Sequence, residues 1–289
     1  MSQSCSGCPS ASSCSPKEKD SCGGPSEAEK ELQNVLSRIK HKIVVLSGKG
    51  GVGKSTVAAN IAMSLAQAGK KVGLLDVDVH GPSIPRLLSL KGQQPGMNDN
   101  SIEPVPYARN LWVMSTGFLL PTDSDAVIWR GPVKIGVIRQ FIQNVAWGDL
   151  DYLIVDCPPG TGDEPLTVMQ LLSPSAKAVI VTTPHMLAVD DVRRSITFVG
   201  LVDAKVLGIV ENMSGFVCPD CGKQHEIFNT GGGEKLALET GVPFLGRIPF
   251  DPELARAGDE GFDYSKVYPD SETSKAVARI IEPLLKLDA

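Results

Sequence analysis

The sequence predicts an α/β protein with a doubly wound, mostly parallel sheet. Short, almost continuously apolar runs alternate with helical stretches along most of the chain, and no repeat of fixed period is evident. Such runs are typical of parallel strands that crossover helices bury on both faces. The runs predicted as strands cover residues 43–46, 72–75, 111–114, 152–155, 178–181, 207–210 and 244–248.

Length and composition exclude several classes of protein. The chain has 289 residues, 42% of them hydrophobic, and a formal net charge of -5. It has no block dense in Lys and Arg, no apolar run of about 18 residues, and no apolar stretch of the signal-peptide kind in residues 1–25. We therefore predict a cytoplasmic protein that binds neither nucleic acid nor membrane. In a reducing compartment its seven cysteines favour metal binding or catalysis over disulfides.

Two regions follow from the distribution of apolar residues. Residues 1–40 are predicted to be a flexible, cysteine-rich segment that ends in an amphipathic helix over 27–39, whose apolar residues recur at helical spacing. Residues 41–289 are predicted to form one domain, which contains the whole sheet.

The first predicted strand runs directly into a phosphate-binding loop of the form G-x-x-x-x-G-K-[ST], and a helix follows it. Its glycines let backbone N–H groups converge on phosphate oxygens, and Lys54 reaches the β and γ phosphates. This motif predicts binding of a nucleoside triphosphate. The residues predicted to bind it are Gly48, Lys49, Gly50, Gly51, Val52, Gly53, Lys54, Ser55 and Thr56.

Three residues are predicted to hold Mg²⁺ beside the phosphates. Ser55 offers a hydroxyl, and Asp76 and Asp156 each follow an apolar strand. The same glycines also fit G-x-G-x-x-G, with Asp76 in the place of the ribose-binding acid of a dinucleotide fold. That alternative gives Lys54 and Ser55 no role and leaves Asp156 unexplained.

Five segments in order resemble the Mrp-type iron-sulfur cluster carrier ATPases, which belong to the deviant Walker A class of P-loop NTPases. The segments are GKGGVGKS at 48–55, DVDVHGPS at 76–83, DCPPGTGD at 156–163, ENMS at 211–214 and CPDC at 218–221. The resemblance covers about residues 41–285. It implies a dimer in which Lys49 reaches the phosphates of the other subunit, Lys54 serves its own site, and Asn212 contacts the adenine.

Asp78 and the segment after Asp156 complete the predicted catalytic region. Asp78 lies on a loop two residues beyond Asp76, where its carboxylate can orient the attacking water, so the predicted catalytic residues are Lys49, Lys54 and Asp78. Gly160 and Gly162 follow Asp156 and predict a switch loop against the phosphates. A strand-end Asp that merely caps the next helix is the alternative for each carboxylate.

Cys218 and Cys221 form a C-x-x-C turn that can direct two thiolates at one metal. A 4Fe-4S cluster takes four thiolates and structural zinc four ligands, so two chains must share the site or a second source of ligands must exist. A dimer axis through the turn would supply the second pair, as the family resemblance also implies. A zinc site with His225 as a further ligand is the alternative. Cys157, by contrast, is predicted to fill the core.

Four more cysteines, Cys5, Cys8, Cys14 and Cys22, fall at the amino terminus with the spacing C-x2-C-x5-C-x7-C. They resemble the segment of the cytosolic cluster scaffold branch of the family. In that branch the fourth cysteine precedes the C-x2-C-x5-C portion, whereas here Cys22 follows it. A second cluster is predicted here, and a labile or redox-sensitive tail is the alternative.

The sequence thus predicts an ATP-dependent carrier that binds a 4Fe-4S cluster and passes it to apoproteins, acting as a homodimer or as a heterodimer with a related ATPase. Three rival functions remain. One is a metal-free structural or interaction protein that retains only the P-loop shell. A zinc-bridged targeting ATPase could use the same cysteine pair. A Min- or Par-type partitioning ATPase shares the P-loop but would bind membrane or DNA, and the tail 274–287, interrupted by Pro283 and poor in Lys and Arg, is unlike a membrane-binding helix.

Overall fold

The computed structural model describes residues 26–98, 101–119, 131–218, 221, 223–226 and 230–288. The helices within them are α1 (Glu27–Ser37), α2 (Lys54–Gln67), α3 (Ile84–Leu87), α4 (Gly131–Gln143), α5 (Asp163–Leu172), α6 (Met186–Leu201), α7 (Gly232–Thr240), α8 (Pro252–Glu260), α9 (Tyr264–Val267) and α10 (Glu272–Leu285). The strands are β1 (Ile39–Leu46), β2 (Val72–Asp76), β3 (Gly96–Asn98), β4 (Ser101–Glu103), β5 (Val105–Ala108), β6 (Leu111–Ser115), β7 (Leu150–Asp156), β8 (Ala176–Thr182), β9 (Lys205–Glu211), β10 (Phe216–Val217), β11 (Gln224–His225) and β12 (Phe244–Arg247).

One eight-stranded sheet has the order β12-β9-β8-β1-β7-β2-β6-β5. Every neighbouring pair in it is parallel except β5 and β6, which are antiparallel. The doubly wound, mostly parallel sheet is therefore confirmed. All seven predicted strands are present. The short strands β3, β4, β5, β10 and β11 were not predicted, because they have too few apolar residues to produce a pattern.

The continuous apolar runs arise because both faces of the sheet are covered. Ile43, Val44, Val45 and Leu46 of β1 are each at most 1% exposed. Successive residues of a strand point to opposite faces, so consecutive buried residues require helices or loops on both sides. Strands β7 and β8 show the same pattern.

The amino-terminal helix packs onto the main domain. Ser26 and Glu29 form a reciprocal cap at the start of α1, and Leu32 is buried within the main hydrophobic core. Strand β1 begins at Ile39, so the boundary predicted between residues 40 and 41 falls inside a strand. The predicted lead-in helix is thus present, and Val35 and Leu36 also pack against the core. Residues 1–25 lie outside the described part of the chain.

The carboxyl-terminal helix α10 runs through Pro283, which lies in its last turns, rather than being interrupted there. Its apolar residues, including Val277, Ile280 and Leu284, are buried in the core, and the Tyr152 hydroxyl donates to the Leu284 carbonyl at 2.9 Å. Among the described residues no helix combines the length and the hydrophobicity needed to cross a membrane.

Several polar residues lie at the carboxyl ends of the parallel strands, at one edge of the sheet. Asp76 ends β2 and Asp156 ends β7, and the two residues lie opposite each other in register. Leu46 ends β1 just before the glycine-rich loop, and Glu211 ends β9. This edge, near the point where the strand order reverses, is where open α/β sheets bind ligands.

Candidate functional site

The loop between β1 and α2 has the backbone of a phosphate-binding loop. Gly51 and Gly53 have φ angles of 80° and 76°, in the left-handed region that favours glycine. Helix α2 begins at Lys54, and no side chain caps its first turn. The terminal N–H groups and the positive end of the helix dipole therefore face the loop, as anion binding requires.

A cleft of about 280 Å³ lies over this loop. It is lined by Ser47, Lys49, Gly50, Gly51, Gly53, Lys54, Ser55, Thr56, Asp78, Ser83, Leu87 and Pro159. Three of the residues predicted to bind the nucleotide, Gly48, Val52 and Asn212, do not line it. A β-carbon on Gly48 would lie 2.5 Å from that of Asp191, and Val52 is buried in the core. Both residues shape the loop from behind.

Lys54 and Asp156 form a buried ion pair at the floor of the cleft. The Lys54 ammonium pairs with Asp156 Oδ1 and lies 3.2 Å from the Ser55 hydroxyl. Burial opposes the charge of Lys54, but the attraction of Asp156 outweighs it and raises the pKa of Lys54 above its usual value. Burial raises the pKa of Asp156. The cation that would meet the phosphates is thus held in place by a carboxylate.

The residues predicted to hold Mg²⁺ fit such an ion. Asp156 Oδ2 is buried and has no hydrogen-bond partner among the described residues, so a cation or its water would satisfy it. Asp76 is held by the backbone N–H of Asp78 at 3.0 Å and by the Ser115 hydroxyl at 3.0 Å. Burial and repulsion by Asp156 raise the pKa of Asp76 to about 8. Because Mg²⁺ usually keeps several waters, this carboxylate suits contact through water.

Asp78 lies at the wall of the cleft with its carboxylate fixed by the backbone. Its Oδ1 accepts the N–H groups of His80 and Gly81, each at 3.1 Å. The side chain is half-buried and lines the same cleft as Lys49 and Lys54. A carboxylate held in this way can orient a water, which is the role predicted for Asp78.

Lys49 differs from Lys54 in its surroundings. It is exposed at the rim of the cleft and makes no hydrogen bond or ion pair with the described residues. An exposed cation beside an anion-binding loop is placed to meet a charge from outside the chain. Its predicted contact with the partner subunit's phosphates remains a prediction.

The predicted switch loop contacts the P-loop. Gly160 has a φ of 91°, and its N–H donates to the Ser47 carbonyl at 2.8 Å. Lys134 of α4, which the sequence analysis missed, lies 2.9 Å from Glu164 Oε1 and 2.7 Å from His80 Nε2. It thereby joins the loop after β2 to the start of α5. No local pattern could indicate this contact, because the three residues are far apart in sequence.

Asn212 follows β9 and packs against the P-loop. Its Nδ2 donates to the Val52 carbonyl at 3.0 Å, and a β-carbon on Gly53 would lie only 2.2 Å from that nitrogen. Gly53 is therefore required for close approach as well as for its backbone angle. The contact of Asn212 with a base remains a prediction.

The cysteine pair lies on a separate two-stranded hairpin, β10 and β11. The Cys218 N–H donates to the Lys223 carbonyl at 3.0 Å, and Cys221 is exposed. Among the described residues no group of three or more His, Cys, Asp or Glu is arranged to hold a metal, and a zinc-binding role for His225 remains a prediction. The predicted ligands Cys5, Cys8, Cys14 and Cys22 lie outside the described residues.

Cys157 is fully buried, as predicted for a core residue. Burial raises the pKa of its thiol far above the usual value, so the thiolate needed for metal binding is disfavoured. The chain therefore separates a buried, inert cysteine next to Asp156 from the two cysteines of the hairpin.

Comparison with known proteins agrees with this geometry. The iron-sulfur cluster carrier protein of Methanocaldococcus jannaschii is 48% identical over 280 residues, which are 96% of this chain and 95% of that protein. The cytosolic Fe-S cluster assembly factor NUBP2 of Bos taurus is 49% identical over 263 residues, 90% of this chain and 97% of that protein. A solved nucleotide-binding protein of Archaeoglobus fulgidus in complex with ADP is 42% identical, covers 85% of this chain and 98% of its own, and has a TM-score of 0.72.

One family accounts for the sheet, the phosphate-binding loop and these relatives together. The family profile described as ParA, NUBPL iron-transfer P-loop NTPase, matches residues 38–285, which are most of the chain. The chain therefore belongs to the iron-transfer P-loop NTPase family.

Proposed function

We propose that this protein is an ATP-hydrolysing carrier that binds an iron-sulfur cluster as cargo and transfers it to apoproteins. One observation carries the proposal: Cys218 and Cys221 lie on a hairpin that follows directly from β9, at the sheet edge that also bears the phosphate-binding cleft. The names of the archaeal and bovine relatives support it. The bovine relative is named as cytosolic, and we propose the same compartment for this chain.

The residues of the cleft have different roles in phosphoryl transfer. Lys54 binds the β and γ phosphates of its own subunit, and Asp78 orients the attacking water. Lys49 meets the phosphates of the partner subunit. Bound Mg²⁺ would neutralise charge on the phosphates, and Ser55, Asp76 and Asp156 are the residues that would hold it. Hydrolysis depends on these positioned charges, because phosphoryl transfer requires little covalent chemistry from the protein.

Two subunits complete the cluster site. One hairpin offers two thiols, and a 4Fe-4S cluster takes four thiolates, so a two-fold axis beside Cys218 and Cys221 supplies the required number. Val217 and Phe250 are 38% and 37% exposed beside the pair, and their apolar surface favours burial against a second copy. A heterodimer with a related ATPase would satisfy the same ligand count.

The amino-terminal cysteines are proposed to hold a second cluster within one chain. Cys5, Cys8, Cys14 and Cys22 supply four thiols without a partner. These cysteines precede α1 in the sequence, and α1 packs on the domain.

Anaerobic reconstitution of the full chain with ferrous iron and sulfide tests the proposal. Iron, sulfide and zinc would be measured per dimer for the native chain, for Cys218→Ser/Cys221→Ser, and for the variant in which Cys5, Cys8, Cys14 and Cys22 are all serine. We expect each variant to lose part of the iron and sulfide, and the hairpin variant to stop activating an apoprotein acceptor. One zinc per dimer without sulfide would contradict the carrier and favour the zinc-bridged targeting ATPase.

Co-sedimentation with anionic lipid vesicles and with DNA separates the carrier from a partitioning ATPase. The apolar residues of α10 are committed to the core, and the chain has a net charge of -5. We therefore expect no binding to either at physiological salt. Stable binding to vesicles or to DNA would contradict this expectation.

A further inference from the structure

Glu211 is a fully buried carboxylate at the end of β9 whose oxygens are occupied by three donors. Its Oε1 accepts the Ser214 hydroxyl at 2.5 Å and the Gly231 N–H at 2.9 Å, and its Oε2 accepts the Gly233 N–H at 2.5 Å. Arg247 approaches from the exposed side, with its Nε 3.5 Å from Oε1. Such charge-assisted hydrogen bonds are among the stronger ones in proteins.

The partners of Glu211 lie on either side of the cysteine hairpin in the sequence. Ser214 precedes the hairpin and Gly231 follows it, and both donate to the same carboxylate oxygen. One oxygen thus joins the two ends of the segment that carries Cys218 and Cys221. Space at this point is tight, because a β-carbon on Gly233 would lie 3.1 Å from Glu211 Oε2.

The next residue, Asn212, makes the corresponding contact with the nucleotide loop. Its side chain donates to the Val52 carbonyl and packs against Gly53. Its backbone N–H donates to Thr182 at the end of β8, which fixes the main chain. Successive side chains at the end of a strand point in opposite directions. A single peptide unit therefore joins the P-loop on one side to the base of the hairpin on the other.

We propose that Glu211 is a positioning residue that, together with Asn212, couples occupancy of the nucleotide cleft to the geometry of the cysteine pair. This inference rests on the proposed function. Phosphates that bind the P-loop shift the segment that contains Val52. Because the Asn212 side chain is hydrogen-bonded to the Val52 carbonyl, Asn212 moves with that segment. Glu211 cannot move with Asn212 unless at least one of its hydrogen bonds with Ser214, Gly231 or Gly233 changes. The strength of the hold on the cluster therefore depends on the nucleotide.

Thermodynamic reciprocity supplies a direct measurement. If the nucleotide changes the affinity for the cluster, the cluster must change the affinity for the nucleotide by the same factor. The dissociation constant of a slowly hydrolysed ATP analogue with Mg²⁺ would be compared between cluster-loaded and cluster-free full-length protein. We expect a ratio of about fivefold or more in the native chain, the lower end of typical coupling.

Glu211→Gln is the decisive variant. Glutamine has the same shape, but its NH2 group replaces one carboxylate oxygen. That group then faces either the Gly233 N–H, or the Gly231 N–H and the Ser214 hydroxyl, so at least one bond must be lost. We expect the ratio of dissociation constants to fall to within about twofold of one, while iron is still bound. A ratio equal to that of the native chain would overturn the inference, and so would a native ratio of one in protein that holds iron and sulfide. Native protein that takes up no cluster would instead overturn the proposed function, and this inference with it.

Three further variants make the test specific. Glu234→Gln removes the other carboxylate that pairs with Arg247. The Glu234 side chain is exposed and does not contact the hairpin base. This variant should therefore leave the ratio of dissociation constants unchanged. Ser214→Ala removes one hydrogen bond, should give an intermediate ratio, and replaces Glu211→Gln if that variant fails to fold. Cys218→Ser/Cys221→Ser should bring the ratio of dissociation constants to one. A ratio that persists in this last variant would place the coupling at the amino-terminal cysteines and overturn the inference.

Discussion

The nucleotide cleft and the cysteine hairpin are built in opposite ways. Lys54, Asp76 and Asp156 are at most 7% exposed and are held by one another and by the ends of the central strands. The hairpin consists of two strands of two residues each, and Cys221 at its tip is exposed. The first site is pre-organised by the core, whereas the second presents two thiols, which we propose to be half of a cluster's ligand set. A carrier needs this difference, because its catalytic charges must stay fixed while its cargo must enter and leave.

The largest effect is expected for Lys54→Ala. The variant loses the cation that we propose to meet the β and γ phosphates, and it leaves Asp156 buried without its partner. We expect ATP turnover to fall by at least about 100-fold. Steady-state phosphate release measures it, and Lys235→Ala, on an exposed face of α7, is the matched control. Turnover within a few fold of the native rate would remove Lys54 from the site.

A mixing experiment tests whether the nucleotide site needs a second subunit, as we propose for the cysteine pair. Lys49→Ala and Lys54→Ala should each be inactive alone. In a mixed dimer the subunit with intact Lys54 receives Lys49 from its partner and regains one complete site. Random exchange should restore roughly a quarter of the native turnover, because half of the dimers are mixed and each has one working site. No recovery, despite exchange confirmed by native mass spectrometry, would mean that Lys49 acts within its own chain.

The buried carboxylates of the cleft predict that the stability of the fold depends on pH. The pKa of Asp76 is raised to about 8 by burial and by Asp156. The folded chain therefore keeps a proton that the unfolded chain releases above about pH 4, so the free energy of unfolding decreases as the pH rises from about 4 to about 8. Between pH 5 and 8 we expect a contribution on the order of 2–4 kcal/mol.

Urea unfolding in the presence of a chelator, without nucleotide, measures this contribution. Asp76→Asn should remove the corresponding slope, with a constant offset from altered hydrogen bonds. The exposed Asp259→Asn is the control and should keep the native slope. Parallel pH profiles for the native chain and Asp76→Asn would contradict the prediction.

The smallest effect contrasts the cysteines of the two regions. Cys157→Ser places a hydroxyl where the thiol is fully buried, and we expect it to cost about 1–3 kcal/mol of stability. Cys218→Ser/Cys221→Ser, measured without metal, should change stability by less than about 0.5 kcal/mol, as is usual for surface changes. Thermal unfolding of the metal-free proteins compares them. A larger loss in the hairpin variant would show that the pair supports the fold itself.

Much of the cleft could be predicted because its residues carry strong local patterns. The glycine spacing specifies the P-loop, and Asp76 and Asp156 end apolar strands whose carboxyl ends meet in a parallel sheet. Glu211 also ends such a strand, but its role depends on Ser214, Gly231 and Gly233, which no periodicity connects to it. Lys134 was missed for the same reason, since its contacts with His80 and Glu164 exist only in the folded chain.

The sequence by itself determined the class of fold, the phosphate-binding loop and the C-x-x-C spacing of Cys218 and Cys221. These features depend on residues that are adjacent or regularly spaced, so their physical causes act locally. The tertiary structure decided that α1 packs on the core and that Lys54 is held by Asp156. It also decided that Asn212 contacts the P-loop while Glu211 contacts the residues that flank the hairpin. Those contacts join distant segments, and burial selects among them only when the whole sheet has formed.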